Sequence, residues 1–167
     1  MEPEAQRRES AKFAVNHLGV VVRDVERAAR EYERLFGIGP FNVVLRDVDQ
    51  IELRGKPSTV RLKSGLAFAG GVQIELVEVV EGRSVHSEFL EAGNEGLHHL
   101  GVFVEDLDAE LEKYAAAGCD VLSRGTAYGV ARWAYVDTKD LLGFVFELVE
   151  KPPPRTRRRG KDRRRGA

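Results

Sequence analysis

One cysteine, Cys119, stands among 167 residues. That excludes an internal disulfide and fits a reducing compartment. No apolar run approaches the roughly 20 residues needed to cross a bilayer as a helix. The opening MEPEAQRRES lacks the apolar stretch of a secretory signal. Cytoplasmic localisation without membrane contact is therefore expected. A net charge of −1 excludes an overall basic surface, but the balance is uneven. Residues 151–167 carry nine Lys/Arg and one Asp, about +8, which leaves about −9 on the rest. Prolines at 152–154 end whatever regular structure precedes them. Residues 151–167 are expected to be a disordered basic tail, a solvated extension whose contacts with nucleic acid are weak at most. Residues 1–11 are expected to be a flexible N-terminus.

What is present is an internal repeat. Residues 17–25 read HLGVVVRDV and residues 99–107 read HLGVFVEDL, 82 positions apart. Each copy leads into a helical pattern, ERAAREYERLFG and DAELEKYAAAGC. Leu35 and Phe36, then Leu111 and Tyr114, are spaced to form an apolar face. Gly37 and Gly118 follow where a left-handed cap is wanted. A second echo follows: VQIELVEVV over 72–80 and VFELVE over 145–150 share Glu-Leu-Val-Glu. The chain therefore reads as two strand–helix–strands units within residues 12–150. Module one spans 12–81, a linker 82–95, and module two 96–150.

Strands are expected over 14–22, 41–46, 60–69, 71–80, 98–104, 120–124, 131–136 and 143–150. Helices are expected over 25–36, 85–92 and 107–117. Residues 47–59 are poorly patterned and are expected to be a mobile loop or an irregular hairpin. Gly125 and Gly129 make 124–130 an expected flexible loop.

Alternate strand residues share a face. Glu75 then lies with Gln73 and Val77, and Glu147 with Val145 and Val149. A carboxylate amid apolar neighbours is costly to bury alone, and a divalent cation would neutralise it. His17 and His99 open strands of the same kind. Two copies of a His-plus-Glu unit would bring two imidazoles and two carboxylates to one point, with positions left for water or substrate.

These segments together resemble the vicinal oxygen chelate superfamily, which includes glyoxalases, bleomycin resistance proteins and dioxygenases. The likeness covers about residues 14–150 and is strongest to the branch holding methylmalonyl-CoA epimerase and lactoylglutathione lyase. It implies an α+β fold, two βαβββ modules forming a cupped mixed sheet around a metal site. The implied ligands are His17, Glu75, His99 and Glu147. The repeat selects His99 over His98. The implied cofactor is one divalent metal ion (Zn, Ni, Co, Mn or Mg). Glu75 in module one favours isomerase and lyase chemistry over oxygen chemistry.

The resemblance implies a metal-dependent isomerase or epimerase that stabilises the enolate of a carboxylic acid, acyl-CoA or 2-oxo substrate. The alternatives are a glyoxalase-like lyase acting on a thiol hemithioacetal, and a non-catalytic metabolite- or drug-binding protein of the same fold. Glu147 or Glu75 is the expected catalytic base. The epimerases carry a further acid before the third strand of module one, whereas RGKPSTVRLK over 54–63 contains none. Tyr128, Arg132 and Trp133 are the candidate substrate-binding residues. Arg132 would take a carboxylate or phosphate. His98 is expected to point away from His99, His86 to lie at the surface, and Cys119 to be a buried structural thiol. A small-molecule substrate and a homodimer are the expected partners.

Overall fold

The structure, a computed structural model, describes residues 14–127 and 131–151. The 1–11 arm, most of the 151–167 tail and Tyr128 lie outside the described residues. The elements run β1 (Val15–Val21), α1 (Val25–Phe36), β2 (Asn42–Leu53), β3 (Lys56–Ala69), β4 (Val72–Gly82), α2 (Val85–Glu91), β5 (Gly96–Val104), α3 (Leu107–Ala116), β6 (Val121–Ala127), β7 (Ala131–Val136), α4 (Lys139–Leu142) and β8 (Val145–Glu150). The duplicated α+β order is as expected, with α4 as an unforeseen single turn before β8. Among the described residues no helix is long and apolar enough to cross a membrane.

Both modules are wound identically. The opening strand pairs in parallel with the closing one, β1 with β4 and β5 with β8. A parallel pair needs a crossover, and α1 and α3 supply it. The modules meet at two seams. β1 pairs antiparallel with β5, and Ile51–Leu53 of β2 pairs with Ser123–Gly125 of β6. The eight strands therefore close on themselves in the order β1-β4-β3-β2-β6-β7-β8-β5, so the cup has a continuous wall.

The Glu-Leu-Val-Glu repeat explains how each helix is fixed. Residues three apart in a strand point to opposite faces. Glu75 and Glu147 face inward, while Glu78 and Glu150 face the helices. Glu78 accepts from the Val25 amide at 2.9 Å and Glu150 from the Leu107 amide at 3.1 Å. Asp24 and Asp106 accept from Arg27 and Ala109 as matching N-caps. Four orphan amides of two helix starts are thus met by residues in equivalent repeat positions.

Two apolar cores lie between the sheet and its helices. Val22, Val25, Ile74 and Leu76 form one, under Ala28, Ala29 and Tyr32. Val102, Val104, Leu107, Ala134, Val136 and Leu148 form the other, with Leu111, Tyr114 and the buried Cys119. Leu111 and Tyr114 pack as expected. Leu35 and Phe36 do not: they are 57% and 67% exposed. The inward stripe of α1 is the buried Val25 with the partly buried Ala28, Ala29 and Tyr32, and Phe36 meets Tyr32 edge-on, with ring centroids 5.8 Å apart. Gly37 and Gly118 both adopt left-handed backbone, at φ 66° and 79°.

Residues 47–59 form a long hairpin rather than a loose loop. β2 and β3 turn through Arg54 and Gly55, at φ 50° and 75°, the mirror-image turn that suits strand twist. The irregularity foreseen there is a register shift between Val48 and Ile51. The expected loop at 124–130 is corrected over 124–127, because β6 continues to Ala127; residues 128–130 lie outside the described residues. Gly125 is a strand residue whose missing side chain makes room for Trp133; a Cβ there would sit 2.6 Å from the indole.

Leu76 and Leu148 are fully buried at equivalent places in the two cores. Leu76→Ala and Leu148→Ala should each lower unfolding free energy by about 2–5 kcal/mol, as measured by urea denaturation. A loss under about 1 kcal/mol at either position would contradict the two-core packing.

Candidate metal centre

Four strands bring the predicted quartet together inside the barrel: β1 carries His17, β4 Glu75, β5 His99 and β8 Glu147. His17 Nε2 lies 2.6 Å from Glu147 Oε2, and His99 Nε2 lies 3.4 Å from the same oxygen. Glu75 Oε2 stands 4.0 Å from His17 Nε2 and 3.9 Å from His99 Nε2. One ligand atom from each residue lies within 4.8 Å of the other three.

The repeated His-Leu-Gly motif has a steric cause. In the antiparallel β1–β5 seam, His17 is opposite Gly101 and Gly19 is opposite His99. Each imidazole crosses over the glycine of the other module. A Cβ on Gly19 would fall 1.8 Å from the His99 ring, and one on Gly101 1.8 Å from the His17 ring. The rings then meet edge to face, with centroids 5.3 Å apart. The glycines of the repeat are therefore part of the site, a role their sequence positions alone did not reveal.

The electrostatics are those of a charged pocket. Burial opposes ionisation of Glu147, but the His17 hydrogen bond and the neighbouring His99 outweigh it and hold the carboxyl well below its ordinary range. Burial likewise opposes protonation of His17, yet the Glu147 hydrogen bond and charge, followed by Glu75, raise it above its usual value. His99 Nε2 is buried and lacks a hydrogen-bond partner. An orphaned imidazole nitrogen aimed at two carboxylates, beside a second imidazole, is a mixed N/O donor set that fits a divalent cation.

Above the quartet opens a cavity of about 860 Å³ whose lining includes Arg46, Leu62, Val77, Trp133, Tyr135 and Glu147. Trp133 thus reaches the cavity. Arg132 does not. Strand alternation turns it to the outer face, where it pairs with Asp108 at 3.1 Å and stands 3.5 Å from Glu150. Arg46 is the cavity arginine, with Nη2 3.5 Å from Glu75 Oε1. It was hidden in the segment before the expected loop; the alternation Val44, Arg46, Val48 is its signal. Tyr135 was also missed, although it follows Trp133 by two and shares its face. Burial, then the charges of Glu147 and Glu75, push its phenol well above the usual range.

Two histidines require correction. His86 is buried, 4% exposed, because the first turn of α2 seals the barrel, with Val85 packing among Leu53, Leu122, Tyr135 and Val145. Neither ring nitrogen of His86 has a hydrogen-bond partner. His98 does not point away from His99. Between Gly19 and Val20 the β5 register advances from His99 to Leu97, so His98 is the extra residue of a bulge. A bulge re-aims its side chain, and His98 Nδ1 comes within 3.0 Å of His99 Nδ1. Burial, then its imidazole neighbour His99, depresses His86 to about 3. Burial, then His86 and His99, depresses His98 to about 2.

Gly101→Ala and Gly19→Ala should each weaken cobalt binding at least about tenfold by displacing an imidazole, as read by visible absorption during titration. Unchanged affinity in both variants would contradict the crossed-ring geometry. The histidines also set a pH dependence. His86 and His98 each have a folded pKa below the unfolded 6.5, so the unfolded chain binds the extra proton and stability falls as pH drops below 6.5. His17 has the opposite sign: its contribution is complete below 6.5 and is lost only as pH rises through its raised value. Between about pH 6 and 5, metal-free protein should lose up to about 1.4 kcal/mol per pH unit for each of His86 and His98. His86→Phe should halve that slope in denaturant titrations, and an unaltered slope would contradict the assignment.

The sequence profile of the Glyoxalase/Bleomycin resistance protein/Dioxygenase superfamily matches residues 16–136. An uncharacterized protein of Bacillus subtilis (strain 168), YqjC, is 24% identical over 140 residues, covering 81% of this chain and 91% of its own. Among solved structures, a hypothetical protein of Bacillus halodurans C-125 superposes with a TM-score of 0.61 at 19% identity, over 84% of this chain and 95% of its own. Methylmalonyl-CoA epimerase of Mycobacterium tuberculosis gives 0.58 at 23%, over 83% and 88%. A variant of the Streptomyces coelicolor methylmalonyl-CoA epimerase, in complex with 2-nitronate-propionyl-CoA, gives 0.57 at 22%, over 82% and 96%. At these identities the structural likeness speaks for the fold, and the profile match over most of the chain places this protein in the Glyoxalase/Bleomycin resistance protein/Dioxygenase superfamily.

Proposed function

We propose that this chain is a divalent-metal-dependent isomerase or epimerase that moves a proton next to a carbonyl group of a small carboxylic acid, acyl-CoA or 2-oxo substrate. The observation that carries this reading is the convergence of His17, Glu75, His99 and Glu147, with the two carboxylates lining a cavity. Those four residues would hold the ion. When bound, it supplies a Lewis acid that stabilises negative charge growing on substrate oxygen.

The chain's own residues divide the remaining work. Glu147 is held by His17 at 2.6 Å and is buried, which suits a fixed ligand. Glu75 is farther from both imidazoles, and its side chain is 19% exposed at the cavity. That freedom suits the group that takes the substrate proton and returns it. Arg46, beside Glu75, would orient an anionic group of the substrate. Trp133, Leu62 and Val77 would shield the reacting carbon from water.

No separate acid competes for the proton role on β3. Its cavity-facing residues are Val60, Leu62 and Ser64, and Glu52 is engaged with Arg124 at 2.9 Å. The same absence supports a second reading, a glyoxalase-like lyase that shuttles the proton of a hemithioacetal through the same carboxylate.

Metal-loaded protein should exchange the α-proton of a 2-oxo acid or acyl-CoA substrate with deuterated water, followed by proton NMR. Glu75→Gln should keep the metal but slow exchange by about 10²- to 10⁴-fold. Glu147→Gln should lose both. Exchange at the wild-type rate in Glu75→Gln would contradict the assignment of Glu75. Turnover confined to methylglyoxal plus a thiol would favour the lyase reading.

A further inference from the structure

The bulge at His98 places two consecutive histidine side chains on the same side of β5, their Nδ1 atoms 3.0 Å apart. An unbulged strand would separate them. His98 is 2% exposed, walled by Phe89, His86 and Tyr135. Its Nδ1 is engaged with His99. On the other side of the His99 ring, Nε2 faces Glu147 and Glu75.

We propose that His98 is a positioning residue for His99: its Nδ1 accepts the Nδ1 proton of His99, which leaves the Nε2 lone pair of His99 directed at the carboxylates. A neutral imidazole has one proton for two nitrogens, so fixing it on Nδ1 exposes a donor pair on Nε2. His98 then keeps its own proton on Nε2. Ligating histidines generally need such a partner on the remote nitrogen. Here the partner is the adjacent residue, delivered by a backbone irregularity. The same contact locks the ring plane over Gly19, where no Cβ obstructs it. This inference rests on the reading that His99 serves a cation through Nε2.

The test uses full-length protein labelled with 15N-histidine. Metal-free wild type should show scalar coupling between the two Nδ1 atoms across an N–H···N bond. On adding zinc, the shared proton should reside on His99 Nδ1 and zinc on His99 Nε2. His98→Phe keeps the ring packing and removes the acceptor; it should weaken zinc binding by about 10- to 100-fold. His98→Asn, which restores an acceptor oxygen, should recover most of that loss. A role in packing alone would lower melting temperature in both variants and leave zinc affinity unmoved, overturning the proposal. Absence of the coupling would overturn it too. So would a second zinc shared by His86, His98 and His99, because it would occupy the Nδ1 atoms. Failure of wild type to bind zinc would overturn the cation reading and this role together, whereas equal binding by wild type and His98→Phe would overturn this role alone.

Discussion

Two carboxylates held close together at the wall of one cavity repel each other unless something positive stands between them. Glu75 and Glu147 are in that position. Partial burial strengthens that repulsion and adds a desolvation cost. The barrel sets two imidazoles against them, and His17 already answers Glu147 through a short hydrogen bond. His99 offers a nitrogen with no hydrogen-bond partner. Arg46 stands 3.5 Å from Glu75, and a shared divalent cation would engage that nitrogen's lone pair and both carboxylates at once; the surrounding structure serves that arrangement.

Duplication is what makes the arrangement geometrically simple. One unit supplies an imidazole on its first strand, a glycine two residues later and a carboxylate on its last strand. Pairing two units antiparallel through β1 and β5 lays each imidazole over the other unit's glycine. The second glutamate of each closing strand ties the helix start to the sheet. One four-residue motif therefore joins the site to the helix on the opposite face, and a shift of the helix relative to its strand would be felt at the carboxylate.

Much of this arrangement is legible in the amino-acid sequence. The repeat separated by 82 positions points to the module order and to the four converging side chains; the separate apolar core of each module is seen only in the structure. What escaped has identifiable physical reasons. The β2–β3 hairpin is obscured because its inner face mixes Arg46 and Ser64 with Val48, Val60 and Leu62 and its outer face meets solvent, so neither face is uniformly apolar. Arg46 was hidden with it. Arg132 and Trp133 are neighbours on one strand, and only the choice of face separates a surface ion pair from a cavity wall. His86 looked superficial because α2 is polar overall, whereas its first turn plugs the barrel. His98 was assigned by strict alternation, and the bulge that breaks alternation leaves no mark in the amino-acid pattern.

The most direct test is a crystal structure of the cobalt-loaded protein with anomalous diffraction at the metal edge. The account predicts one peak per chain, coordinated by His17 Nε2, His99 Nε2 and oxygens of Glu75 and Glu147 at about 2.0–2.2 Å. A peak elsewhere, or this quartet without one at saturating cobalt, would contradict it.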